Sequence, residues 1–522
     1  MALQNTDILK EIFKHLSHEL DENVESSTAR RTLLNAALSC ETFYEPAMAA
    51  MWRVLSSIVP LLKLLPSFMQ MNGRHILKEV SKADWAKFEK RARHVQVLLL
   101  AKDHHNISPF TYDRLRQLQS SCLLPALLKI RILDDFDAST SLCPFISLSP
   151  SIRYLELCED SVENQEFFQS FIASVTTQAP SVTHLKLCSK GAAVDLCPLL
   201  NLLLLQDLDL EVNQGRLSKL LMTGLGRLKA LKCLALRMGP QVSTITFPDS
   251  VPLPLTVSNY QAFWNSTRSL KLFAQLESLT LSGHPDVIMT SMAYISSPSL
   301  KILDINESNV TRTIRSRNWA LRDFIRGVGQ LQIFKMKQTS PAQSTIKILN
   351  ILPLGRNLET VELREGSASI KNSDMLDIAG RFINLRILIL PDSCKELSLG
   401  LEILLAPHTI PPRLECLKLC VFEGSCQLIP LPTLPTKPIT RANAHFSLRQ
   451  LSLSSCYGTL SDESTIQLST LIHSAFPMLD GVEGYGPNAG KECWGRVNLF
   501  RAALRGVCEN LEEELHLDKT NA

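Results

Sequence analysis

Fourteen cysteines and twelve histidines are the side chains here that could hold a metal, form disulfides or act as nucleophiles. Their spacing argues against all three. No two cysteines stand two residues apart as in a zinc knuckle. Cys416, Cys420 and Cys426 cluster, but no histidine lies nearby to complete a tetrahedral site. His104 and His105 follow Asp103, yet adjacent side chains point apart on a regular backbone. Gly484, Gly486 and Gly490 form a glycine-rich loop with the wrong spacing for a dinucleotide. No Gly-x-Ser-x-Gly elbow, phosphate loop or His-Glu-x-x-His helix is present. The sequence therefore predicts no catalytic, metal or cofactor site. The scattered cysteines read as small packed thiols in a reducing compartment, cytoplasm or nucleus or both.

Apolar residues make up 45% of the 522 and charged residues 20%, enough for a large buried core. The net charge of +3 is too balanced to predict a nucleic-acid partner. No apolar run approaches the roughly 18 residues of a membrane span. Residues 1–7 lack a basic segment followed by an apolar one, so neither a membrane nor a secretory signal is expected.

What chemistry there is must come from how the chain repeats. The pattern apolar-x-x-apolar-x-apolar recurs, as in Val95-Leu98-Leu100, Leu127-Ile130-Ile132, Leu205-Leu208-Leu210 and Leu385-Leu388-Leu390. It ends at Leu479-Val482-Gly484, and 41 of its 42 positions are apolar. Successive units lie 23 to 34 residues apart, except for a step of 45 from Leu234 to Leu279. In six units a proline stands two residues before the first position: Pro125, Pro150, Pro180, Pro298, Pro412 and Pro477. Between units, Phe168-Phe171-Ile172-Val175 and Leu217-Leu220-Leu221-Leu228 have helical spacing. Each unit thus predicts a helix, a stop and a short strand, and stacked units share one core.

Over residues 94–485 this resembles the leucine-rich-repeat family in its longer α/β form, related to the ribonuclease-inhibitor type. The resemblance implies an α/β solenoid of about 14 irregular repeats, a reading that rests on the count above. The family's Asn after the strand is missing; Cys158, Cys188 and Cys420 follow the third position instead and are expected to pack in register in or near the core.

Residues 1–55 do not repeat. Ile8, Leu9, Ile12, Phe13 and Leu16 share one helical face, and a second apolar segment carries Leu38, Cys40, Phe43 and Trp52. On periodicity alone this is a helical cap for the solenoid. As a motif, Ile8-Leu9-x-x-Ile12-Phe13-x-x-Leu16 followed by Leu38-Ser39-Cys40-x-x-Phe43 resembles an F-box, although Asn5 stands where that family has proline. The resemblance implies docking on a Skp-family adaptor, and through it on a cullin, by Ile8, Leu9, Ile12, Phe13, Leu16, Leu38, Cys40, Phe43 and Trp52. The basic stretch Ala83 to Arg93 resembles the connector of fungal F-box proteins with leucine-rich repeats; the alternative is a solvated helical face.

The expected organisation is an F-box-like domain (1–55), a helical linker (56–93), a repeat solenoid (94–508) and a polar tail (509–522). The resemblance implies the substrate-recognition subunit of a Skp/cullin/F-box ubiquitin ligase, and not an enzyme in itself. The alternative is a leucine-rich-repeat interaction scaffold outside that system. On the strands, period two points the residue between the second and third positions away from the core. Those residues form a column of mixed charge, broken where Ile387 and Ile389 stand between Glu362 and Lys418. These four are the candidate contacts for an unknown protein substrate, unless the proline-rich insertion 430–438 covers them. The insertion 247–255 is a second candidate loop.

Overall fold

The computed structural model describes residues 5–22, 27–100, 107–118, 122–132, 143–159, 165–189, 195–215, 218–242, 267, 270–308, 314–338, 348–352, 357–364, 372–390, 410–420, 447–454, 462–484 and 494–507. The Asp103-His104-His105 group, the insertions 247–255 and 430–438, Cys426, residues 485–490 of the glycine loop and the tail lie outside them. The chain divides into two compact units, Met1–Ser250 and Val251–Ala522. That division falls inside the long step between Leu234 and Leu279, whereas the N-terminal helices belong to the same unit as the first repeats.

The fold is an α/β repeat solenoid with a leucine-rich-repeat-like parallel sheet. The first unit has helices α1 (Thr6–Glu22), α2 (Ser27–Ser39) and α3 (Glu41–Trp52), then strand β1 (Val54–Leu55) and helix α4 (Val59–Leu62). Strands β2 (Phe68–Met71) and β3 (Arg74–Leu77) and helix α5 (Lys82–Ala92) follow. The repeat strands are β4 (Val97–Leu100), β5 (Lys129–Ile132), β6 (Tyr154–Glu159), β7 (His184–Ser189), β8 (Asp207–Gly215) and β9 (Cys233–Val242). In the second unit they are β10 (Ser278–Gly283), β11 (Ile302–Glu307), β12 (Ile333–Gln338), β13 (Thr360–Arg364), β14 (Ile387–Ile389), β15 (Cys416–Cys420), β16 (Gln450–Ser454) and β17 (Gly481–Gly484). Within each unit every repeat strand runs parallel to its neighbours, with the predicted apolar residues opposite one another, such as Leu185 with Leu208 and Val361 with Leu388. Side chains such as Ile130, Leu208, Leu279, Leu388 and Leu451 are fully buried.

Each unit closes onto its predecessor by one recurring device. Two consecutive amides at the start of a strand donate to a single carbonyl of the previous repeat: Arg153 and Tyr154 to Leu128, Gln332 and Ile333 to Lys301, Arg386 and Ile387 to Glu359. The turn before the strand explains the prolines. The amide of Leu127 donates to Leu124, that of Ile152 to Ser149 and that of Val182 to Ala179. Pro125, Pro150 and Pro180 therefore occupy the second position of a β-turn, where their fixed φ is an advantage and their missing N–H costs nothing. Repeats without proline, such as Leu205 to Leu202, make the same turn.

The stretch 56–93, expected as a helical linker, is helical only in part. Between α4 and α5 it holds an antiparallel hairpin, β2 with β3, turned by Asn72 (φ 51°) and Gly73 (φ 75°). Two consecutive positive φ angles make the type I′ turn that matches strand twist. Strand β1 is a second addition. It pairs with β4 and starts the sheet one strand before the first predicted repeat.

At the far end, the helix over 494–507 covers the edge strand. The Asn498 side chain donates to the Val482 carbonyl (2.7 Å) and accepts from the Val482 amide (2.8 Å). It takes the place of a neighbouring strand and blunts an edge open to pairing.

Candidate functional site

The leucines of the repeats point to the core, and the alternate residues form what we call the open face of the sheet. At its start this face is not open. Val54, Val97 and Leu99 are buried in one apolar cluster with Leu9, Phe13, Ala29, Leu33, Ala37, Ala47 and Ala50. Helices α1–α3 therefore lie against the open face of β1 and β4. Leu99, expected to face outward in the charged column, is covered by them.

This packing divides the nine residues expected to bind an adaptor. Leu9 and Phe13 are 2% and 5% exposed and pack inside the helical module as its anchors. Phe13 meets the half-buried Phe43 edge to face, with ring centroids 5.8 Å apart. The residues one step round the helix face the other way. Ile8 and Ile12 are each 44% exposed, Leu16 is exposed beside them, and Leu38 of α2 is 74% exposed with Leu34 one turn before it. Spacings of four residues place Ile8, Ile12 and Leu16 in one stripe. Cys40, the exposed N-cap of α3, has its Sγ 2.9 Å from the Thr42 hydroxyl, and that hydrogen bond pulls the thiol pKa down. Trp52 is half-buried.

The basic helix α5 pairs with α3 of this module and is not only a solvated face. Lys90 Nζ lies 2.8 Å from Glu45 of α3, and Arg91 lies 3.5 Å from the same carboxylate. The Arg91 guanidinium also sits 5.9 Å from the Tyr44 ring centre. The hydrogen bond from Lys90 lowers the Glu45 pKa. Ser81 caps α5, accepting from the Asp84 amide at 3.1 Å.

Beyond β4 the open face of the first unit carries a paired charge network. Arg131, Glu156, Lys186, Asp209 and Ala235 stand opposite one another in register, as the column predicted. Glu156 is 4% exposed and accepts from Arg131 Nε (2.6 Å), Lys186 Nζ (2.7 Å) and the Tyr154 hydroxyl (3.1 Å). Burial alone would raise its pKa, but the two cations outweigh it and hold the carboxyl down to about 2. Asp209 goes the other way. Burial raises its pKa against the Arg237 guanidinium 2.9 Å away. Cys188 stands in register two residues beyond Lys186, so alternation puts it on this face and not in the core, and it is buried there.

In the second unit the column is Thr280, Asp304, Lys335, Glu362, Ile389, Lys418, Ser452 and Glu483, all in register. Ile389 sits directly between Glu362 and Lys418, and Ile387 lies one pleat away opposite Cys416. Both isoleucines are half-buried. Glu362 is buried and paired with Lys335 (3.1 Å) and Arg364. Sequence reasoning missed Ile302 and Ile333, which are half-buried in the same row as Ile387. They stand immediately before the second template position, two residues before the column residues Asp304 and Lys335, so the same strand alternation carried the signal.

Among the described residues no cluster of His, Cys, Asp and Glu could hold a metal ion, and no helix is long and apolar enough to cross a membrane. No protein-family model matches the chain, and no curated protein matches it either. Among solved structures, a leucine-rich-repeat protein of Leptospira interrogans aligns at 15% identity with TM-score 0.37, covering 82% of this chain and 99% of its own. The TLR13–ssRNA13 complex aligns at 17% identity with TM-score 0.33, covering 76% of this chain and 43% of the TLR13 chain.

Proposed function

We propose that the chain is the substrate-recognition subunit of a Skp/cullin/F-box ubiquitin ligase. Helices α1 and α2 dock on the Skp-family adaptor, the adaptor joins a cullin, and the open face of the repeat sheet holds a protein substrate. One observation carries this reading: Ile8, Ile12, Leu16, Leu34 and Leu38 are exposed on helices whose other face is already packed. Water-exposed stripes of this kind fit the groove of a partner. The repeat sheet supplies the second surface, and the division of labour needs no catalytic residue in this chain.

A specific observation favours a second reading, a leucine-rich-repeat interaction scaffold outside the ubiquitin system. Helices α1–α3 bury Val54, Val97 and Leu99, which is the work of a cap. The two readings separate on point variants, not on removal of residues 1–52, because that deletion would bare these three side chains. Full-length chain and purified Skp-family adaptor are expected to co-elute in size-exclusion chromatography, and Ile12→Asp is expected to abolish co-elution without lowering the melting temperature. Separate elution of the wild-type proteins at micromolar concentration would leave only the scaffold.

A further inference from the structure

Across β11–β15 the open face carries an apolar strip. Ile302, Ile333, Thr360, Ile387 and Cys416 stand opposite one another in register, and each is half-buried. Ile389 widens the strip by one pleat. Burial raises the Cys416 thiol pKa, as expected where water is displaced. Strands lie about 4.8 Å apart, so the strip runs about 19 Å, the reach of roughly six extended residues.

The charge beside it is mainly positive. On β12–β15 the same face bears Lys335, Lys337, Arg364 and Lys418 against the single carboxylate of Glu362, a net charge of +3 over described residues. Glu362 is buried under Lys335 and Arg364, so it projects little negative charge outward. Asp304 stands one strand further on, opposite Lys335 at the end of the strip. A nucleic-acid strand would also meet cations here, but single strands are held by aromatic stacking platforms. No described residue on this face of β11–β15 is aromatic; the apolar groups are aliphatic.

We propose that this strip holds a short acidic–apolar segment of a substrate protein, its large apolar side chains seated on Ile302, Ile333, Ile387 and Ile389 and its Asp or Glu side chains turned to Lys335, Lys337, Arg364 and Lys418. The inference rests on the reading of the sheet as the substrate surface and is independent of the adaptor module. Apolar contact supplies the affinity and the basic row rejects basic segments, which is how a charged rim sets specificity.

The test uses full-length chain and a display library of random peptides about a dozen residues long. Enriched sequences are expected to combine large apolar residues with Asp or Glu. Binding of the leading peptide, followed by fluorescence anisotropy, is expected to weaken about tenfold in Ile333→Ser with Ile387→Ser and about tenfold in Lys337→Glu with Lys418→Glu. The second pair turns the β12–β15 patch from +3 to −1, each substitution subtracting two charges, and leaves the apolar strip intact. If the serine pair melts early, the charge pair decides. No enrichment, a basic consensus, or a peptide indifferent to the charge pair would overturn the proposal. Both variants should still bind the adaptor. Peptide binding without adaptor binding in the wild type would instead sink the ubiquitin-ligase reading and leave the strip standing.

Discussion

At position 156 burial and charge pull in opposite directions, and charge prevails. Glu156 is nearly inaccessible, yet Arg131 and Lys186 hold its pKa to about 2. A folded pKa below the ordinary value of about 4.3 means that the pair stabilises the fold above that value and stops doing so as pH falls toward 2. Glu156→Gln leaves two cations facing each other without their counter-ion. We expect it to lower the unfolding free energy by about 2 kcal/mol at neutral pH, less than for a fully buried pair because both partners are about one-third exposed. Denaturant titrations should show the difference from wild type shrinking between about pH 4.5 and pH 2. A difference that stays constant over that range would mean the carboxylate is not the source. The column containing Glu156 was legible because strand alternation is local. Its burial was not, since it depends on Tyr154, Arg131 and Lys186 closing over it.

At the level of the elements, the fourteen repeat strands were legible because each unit restates the same three-position pattern, apolar throughout except at Gly484. Leu208→Asp and Leu388→Asp each put a charge into a fully buried site, and each is expected to cost at least about 4 kcal/mol and lower the melting temperature sharply. Wild-type-like melting of both would contradict the shared core. The hairpin β2–β3 carries neither the helical nor the repeat period, and its one local signal is Asn72-Gly73, the strongest short turn signal. A Cβ at Gly73 would meet no atom within 4 Å, so Gly73→Ala tests the backbone alone. It should cost about 1 kcal/mol, read from the denaturation midpoint. The apolar face of α1 was legible as a whole, whereas its division into anchors Leu9 and Phe13 and exposed Ile8 and Ile12 was not. That division is set by Val54, Val97 and Leu99, about forty to ninety residues away in sequence.

Taken whole, the molecule carries two apolar surfaces, the helical stripes at the N-terminus and the basic-rimmed strip of the second unit, and the proposals assign each a different partner. Within each unit the repeat strands pair in parallel with their neighbours, and the long step between Leu234 and Leu279 falls where the units divide. The most direct measurement is isothermal titration of full-length chain with a purified Skp-family adaptor, wild type against Ile8→Asp with Leu38→Asp, and with Phe110→Asp as a control at an exposed apolar residue away from α1 and α2. The account predicts one adaptor bound per chain, a loss of affinity of at least about a hundredfold in the helical variant, about 2.7 kcal/mol, and no change in the control. No heat of binding in the wild type, or equal affinity in all three proteins, would contradict it.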